Sequence, residues 1–194
     1  MTTFVLATAN PHKTEEIRAI LAPLGVDLLD RPLDVPDVDE TGDTLEENAL
    51  LKARALVTAS GRAAIADDTG LFVDALDGRP GVHSARFAGE TASYDDNVTK
   101  LLAELEGVPE PRTARFATVI AVAYPDGTSF SVERELPGVI TRARAGDQGF
   151  GYDPVFMPDE TDGRTMAQLT AREKNDLSNR GRALRALFEE LAQR

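Results

Sequence analysis

Two β-rich runs, residues 112–124 and 128–141, are joined by Pro125-Asp126-Gly127, a strong hairpin signal that commits the chain to a pair of long neighbouring strands. The rest of the sequence alternates short apolar runs with helical periodicity. Phe4-Val5-Leu6-Ala7 reads as a buried strand, and Asn10-Pro11 punctuates it before Ile17, Ile20, Leu21 and Leu24 recur at i, i+3, i+4 and i+7. That spacing predicts an amphipathic helix stopping at residues 23–25. Thr44 with Glu47 has the form of a capping box, and Leu45, Ala49, Ala53 and Leu56 then lie along one side of a second helix that ends near Gly61. Ser93 opens a third helix with Val98, Leu101, Leu102 and Leu105 inward, before a break at 107–111. Leu184, Leu187, Phe188 and Leu191 repeat the helical spacing in the last segment. Strands and helices mixed in this way, with a long hairpin, point to an α/β or α+β fold around one mixed sheet. No internal repeat, low-complexity stretch or linker separates autonomous domains, so residues 1–194 read as one domain.

Charge narrows the function. The 194 residues carry 33 Asp plus Glu against 21 Lys plus Arg, a formal net charge of −12, with an isoelectric point near 4.6. A protein that grips a nucleic-acid polymer through its phosphates needs a basic face, so no nucleic-acid polymer is expected as a partner, while a local basic pocket for a small anion stays open. The absence of cysteine rules out disulfides, thiolate catalysis, cysteine-based zinc sites and iron–sulfur ligation. Residues 1–9 lack the pattern of a secretory signal, and no apolar run approaches the ~20 residues that span a bilayer. The expectation is a cytoplasmic protein with no membrane partner.

Five constellations could carry chemistry, and each also has an ordinary structural reading. Thr8, Ala9, Asn10, Pro11, His12 and Lys13 form a polar turn between a strand and a helix N-terminus, where unpaired N–H groups, the helix dipole and Lys13 would attract phosphate. It lacks the glycines of a Walker A loop, and its ordinary reading is a helix capped by Asn10. Ala63-Ala64-Ile65-Ala66 runs into Asp67-Asp68-Thr69-Gly70, two carboxylates at the end of an apolar strand. Hard oxygen ligands of this kind suit Mg²⁺, and alternation along a strand sends only one of the two into a given cleft. The ordinary reading is an Asx turn. Asp39-Glu40-Thr41-Gly42, inside an acidic, proline-containing loop at 31–44 that is a candidate hinge or lid, offers a further carboxylate or simply a solvated loop. In Phe150-Gly151-Tyr152-Asp153 the aromatic planes could stack on a nucleobase and Asp153 could accept a hydrogen bond, or the aromatics could be core. Lys174, with Ser178-Asn179-Arg180-Gly181, could meet a polyphosphate or serve capping and solvation. His12 and His83 are too isolated to suggest a metal site. Together the five describe a nucleoside triphosphate and magnesium site.

In their order, Thr8-x-Asn10-x-x-Lys13, Glu47-Asn48-Ala49 with Lys52-Ala53, Ala66-Asp67-Asp68-Thr69-Gly70, Pro80-Gly81 with Ser84-Ala85-Arg86, Phe150-Gly151-Tyr152-Asp153-Pro154, and Lys174 with Ser178-Asn179-Arg180-Gly181 closely resemble the inosine triphosphate pyrophosphatase family, the XTP/dITP diphosphatases. The resemblance spans nearly the whole chain. It implies an elongated, two-lobed α/β fold, a mixed central sheet flanked by helices around a central cleft, usually as a homodimer. It implies Mg²⁺-dependent hydrolysis of ITP, dITP and XTP to the monophosphate and pyrophosphate, clearing deaminated purines from the nucleotide pool. By position, Thr8 to Lys13, Lys52 and Lys174 would bind the triphosphate. Asp68, with Thr69 beside it, would be the catalytic carboxylate, and Asp68 and Glu40 would hold the metal. Phe150, Gly151 and Tyr152 would bracket the base, while Asp153, Asn179 and Arg180 would contact its polar edge. The sequence departs from the family pattern at Asn179, where a histidine is usual, and at Leu136, where a tryptophan is usual. Asparagine still donates and accepts but has no titratable ring, and the Leu136 change concerns packing. Rival readings are a Maf-like pyrophosphatase acting on pyrimidine nucleotides and a catalytically silent nucleotide sensor.

Overall fold

The structure, a computed structural model, describes residues 3–32, 35, 36 and 38–193. Leu33, Asp34 and Asp37 of the predicted 31–44 loop lie outside the described residues, and the rest of that segment is irregular up to the helix it precedes. The strands are β1 (Thr3–Leu6), β2 (Asp27–Leu29), β3 (Ala64–Val73), β4 (Pro80–Gly81), β5 (Thr113–Ala123), β6 (Ser129–Ile140) and β7 (Phe156–Pro158). Five α-helices flank the sheet they form, α1 (Pro11–Leu21), α2 (Leu45–Ser60), α3 (Tyr94–Glu104), α4 (Ala171–Leu177) and α5 (Asn179–Ala192). Among the described residues the strands run in the order β2-β1-β3-β5-β6-β7, with β4 on β3. β1 is parallel to β2 and β3, whereas β3–β4 and β6–β7 are antiparallel, so the sheet is mixed as the hairpin and the strand–loop–helix units require.

The chain divides into two compact units. The first comprises Met1–Asp68, Thr118–Arg134 and Arg180–Arg194, and its core gathers Phe4, Leu6, Ile17, Leu21, Ile65, Ile120, Leu184 and Leu187. The second comprises Thr69–Ala117 and Glu135–Asn179, around Leu71, Val98, Leu101, Leu136, Tyr152 and Phe156. Leu136 is fully buried there and acts through packing.

Two expectations change, and several short elements are new. Leu24 does not continue the α1 stripe: Pro23 ends the α-helical track, the chain tightens into a 3₁₀ turn capped by Gly25 in the left-handed region, and Leu24 is 47% exposed. Asp67-Asp68 do not close a strand in a turn, because β3 continues through them to Val73. The short elements β2, β4, β7 and α4 carry too few apolar repeats to be read from sequence.

The antiparallel pairing of β6 with β7 depends on one small residue. A Cβ on Gly138, a residue that pairs with Pro158, would collide with the Met157 carbonyl oxygen and come within 2.8 Å of the Phe156 ring. Gly138→Ala is expected to destabilise the fold by about 1–3 kcal/mol, since backbone rather than a flexible side-chain tip must move. Chemical denaturation of the purified variant checks this.

Candidate active site

Parallel strands bring their carboxyl ends to one side, and this is what assembles the charged centre of the first unit. Val5 and Leu6 of β1 stand in register with Ala64 and Ile65 of β3, and the Ala7 N–H donates to the Ile65 carbonyl (2.8 Å). The turn that leaves β1 therefore passes beside the residues of β3 that follow Ala66, namely Asp67 and Asp68. Asn10 caps α1: its Oδ1 accepts from the backbone N–H groups of His12 (3.0 Å) and Lys13 (3.4 Å), and Pro11 opens the helix. The ordinary capping reading thus holds for Asn10, and those two N–H groups are partnered within the turn. Thr8 Oγ1 accepts from the Asn10 N–H (3.2 Å), while Ala9, Pro11 and His12 face solvent.

The two aspartates alternate across the strand and meet different cations. Asp67 is buried, with Oδ2 3.1 Å from Lys13 Nζ and accepting from Arg180 Nη2 (3.1 Å) and Nε (3.3 Å). Arg180 also donates to Glu16. Burial works to raise the Asp67 carboxyl, but Lys13, Arg180 and Lys52 outweigh it and hold the group far below the usual carboxylate range. Asp68, also buried, accepts at Oδ1 from Lys52 Nζ (2.6 Å), which donates to Glu40 Oε1 as well (2.9 Å). Here burial wins. It lifts Asp68 above the ordinary aspartate value, with the Glu40 charge adding to it against Lys52 and Lys13. Lys52 itself is pushed up: burial lowers it, and Asp68, Asp67 and Glu40 more than reverse that. One carboxylate is thus held firmly as an anion, while burial and Glu40 disfavour the charged form of its neighbour.

The second unit holds the other half of the predicted set. Asp153 Oδ2 accepts from the Phe150 N–H (2.8 Å) and from Lys174 Nζ, a buried pair. The Lys174 ammonium also lies 4.6 Å from the centre of the Phe150 ring, over its face. Tyr94, at the start of α3 and 39% exposed, places its ring 5.7 Å from that of Phe150. Tyr152 departs from the expectation that it flanks a base. It is packed into the second core, its hydroxyl donates to the Ser84 carbonyl (2.9 Å), and burial pushes its phenol well up. The ordinary core reading describes it, and Phe150 is the aromatic left half-buried. Gly151 takes the left-handed turn between the two rings (φ 63°). Thr69 is half-buried on β3, and Asn179 is buried as the first residue of α5.

Sequence reasoning missed three participants. Glu16 reaches Arg180 across 164 positions, Tyr94 reaches Phe150 across 56, and Asn48, seen only as part of a motif, bonds to the backbone of Gly42. Only Asn48 had a local signal: an amide side chain one turn before Lys52, on the side of α2 that carries Leu45, Ala49 and Leu56.

Residues 4–190 match the Ham1 family. The dITP/XTP pyrophosphatase of Geobacillus kaustophilus is 52% identical over 194 residues, covering 98% of this chain and 94% of that protein. The protein of the same name from Streptomyces coelicolor is 51% identical over 192 residues, covering 96% of each. Among solved structures, a HAM1 protein from Coxiella burnetii superposes with a TM-score of 0.90 at 37% identity, covering 100% of both chains.

Proposed function

Because the chain belongs to the Ham1 family, we propose that it is a nucleoside triphosphate pyrophosphatase that hydrolyses dITP, XTP and ITP to the monophosphate and pyrophosphate, with Mg²⁺ as cofactor. Relatives about half identical over nearly the full chain are named dITP/XTP pyrophosphatases, and neither a pyrimidine-directed enzyme nor a silent sensor is favoured. The observation that carries the reading is the acid pair on β3, one member neutralised by Lys13 and Arg180 and the other shared with Lys52 and Glu40.

The donor set fits magnesium. Asp68 Oδ2 is buried and accepts no hydrogen bond, and Glu40 shares Lys52 with the same aspartate. Magnesium takes one or two protein carboxylates and fills its shell with water and substrate phosphate, and Asp68 and Glu40 are two such carboxylates. Asp68 and Glu40 would hold it, and when bound it offsets phosphate charge and polarises oxygen. Asp68 accepts a proton from the water that attacks the α-phosphorus, the bond from that phosphorus to the bridging oxygen breaks, and pyrophosphate leaves. Lys13 and Lys52 offset the charge on the phosphates. Phe150 offers an aromatic face to a base, Asp153, Asn179 and Arg180 offer polar groups matched to a 6-oxo purine, and Lys174 joins the cations on the triphosphate. This assignment rests on motif order. Unpaired amino groups of adenine and guanine would be the basis of discrimination. The homodimer, the single-domain organisation and the cytoplasmic location belong to the same proposal. No helix among the described residues is long and apolar enough to cross a membrane.

The test is product analysis of purified protein with Mg²⁺ and ITP, XTP, GTP, ATP, dTTP and UTP. Pyrophosphate and monophosphate chiefly from ITP and XTP are expected. Orthophosphate alone overturns the reading, dTTP or UTP preference selects the Maf-like alternative, and binding without turnover selects the sensor.

The acidic limb of the pH profile tests the role of Asp68. Lys52 lowers the Asp68 carboxyl against the effect of burial, so Lys52→Met removes a downward influence. The acidic limb of kcat/KM is expected to move to higher pH, whatever the loss in absolute rate. An unmoved limb argues against Asp68 as the group that must be ionised.

A further inference from the structure

Asn48 is 0% exposed and lies in the first turns of α2. A buried carboxamide must place both its donor and its acceptor, and this one places them on a single residue of the preceding loop. Its Oδ1 accepts from the Gly42 N–H (2.8 Å), and its Nδ2 donates to the Gly42 carbonyl (3.3 Å). The next stretch is fastened from the same helix turn: Glu47 Oε2 accepts from the N–H groups of Asp43 (2.8 Å) and Thr44 (3.2 Å). The approach is close enough to demand glycine. A Cβ on Gly42 would lie 2.6 Å from Glu47 Cβ and 2.8 Å from Asn48 Oδ1.

Spacing gives this grip a consequence. Asn48 and Lys52 are four apart on α2 and share a face, and Gly42 and Glu40 are two apart in the loop. Asn48 therefore fixes the loop backbone one helical turn before the point where Lys52 receives the loop's carboxylate at 2.9 Å. Glu40 reaches Lys52 through a side chain that has several rotatable bonds, so the anchor two residues away determines where its backbone starts.

We propose that Asn48 is a positioning residue: by holding both backbone groups of Gly42, it sets where Glu40 meets Lys52, and with it the arrangement of Lys52 on Asp68. The contacts stand by themselves, and their catalytic consequence rests on the function proposed above.

Hydrogen exchange and a double-mutant cycle test it together. In the wild type the Gly42 amide, bonded to Asn48, is expected to be protected. In Asn48→Ala its exchange is expected to accelerate about 10-fold or more while amides of Ala53 and Leu56 keep their protection. A Gly42 amide that exchanges freely in the wild type, or equally in both proteins, overturns the proposal without reference to activity. In kinetics, Asn48→Ala is expected to lower kcat/KM about 10- to 100-fold, the scale of a misplaced catalytic group. In a Glu40→Gln background the same change is expected to cost less than about 2-fold, because the group it positions is already disabled. An equal loss in both backgrounds means that Asn48 is merely structural. If removing the buried amide prevents folding, Gly42→Ala provides the same cycle, since it displaces the loop while leaving Asn48 in place. Failure of the wild type to release pyrophosphate would remove the functional reading, yet the Gly42 exchange would still report on the grip.

Discussion

Asp68→Asn is expected to lower kcat by about 10²- to 10⁴-fold, the range supplied by a positioned proton acceptor, with any loss of metal binding adding to it. The fold should survive. An amide of the same shape fills the site, and Lys52 keeps Glu40 as a partner. Thermal melting should show a cooperative transition, and calorimetric titration with ITP should still detect binding. Unchanged turnover would contradict the assignment of Asp68.

The adjacent residue should behave in the opposite way. Asp67 neutralises both Lys13 and Arg180 from a fully buried position, so Asp67→Ala leaves two cations short of their counter-charge. Removing one partner of a buried ion pair costs about 3–5 kcal/mol, and at this chain length each kcal/mol lowers the melting midpoint by about 2–4 °C. Acid should erase the difference. The folded Asp67 stays ionised where an unfolded aspartate has taken up its proton, so the folded state binds fewer protons and stability rises with pH through that window. The contribution is complete above the ordinary aspartate value and is lost as pH falls below it. Denaturation curves of wild type and variant are thus expected to draw together at acid pH. A constant gap would mean that Asp67 acts by packing alone.

That two neighbours differ so sharply could not be read from the sequence, although much around them could. The helices at 45–60 and 94–104 were legible because a Thr44–Glu47 capping box and an opening Ser93 stand ahead of periodic apolar residues. The hairpin was legible from Pro125-Asp126-Gly127. Alternation along a strand even implied that Asp67 and Asp68 point apart. What each one meets depends on Lys13, Lys52 and Arg180, which parallel pairing and a helix from the far end of the chain bring together. The inward packing of Tyr152 was hidden for a related reason. A sequence cannot say which of two aromatics on either side of a glycine turns inward, and the one that did is tied by its hydroxyl to Ser84, 68 positions away. Leu24 leaves the helical spacing because Pro23, just ahead of it, ends the α-helical track.

The first unit is assembled from three stretches of chain, of which the third begins at Arg180. During synthesis, residues 1–68 leave the ribosome long before Leu184 and Leu187, which the first core requires, and before the second cation of Asp67 exists. The second unit is drawn from residues 69–117 and 135–179 and has its whole sequence earlier. The order of synthesis is therefore inverted relative to the order of completion: the stretch made first can close its core only once the final helix has been made.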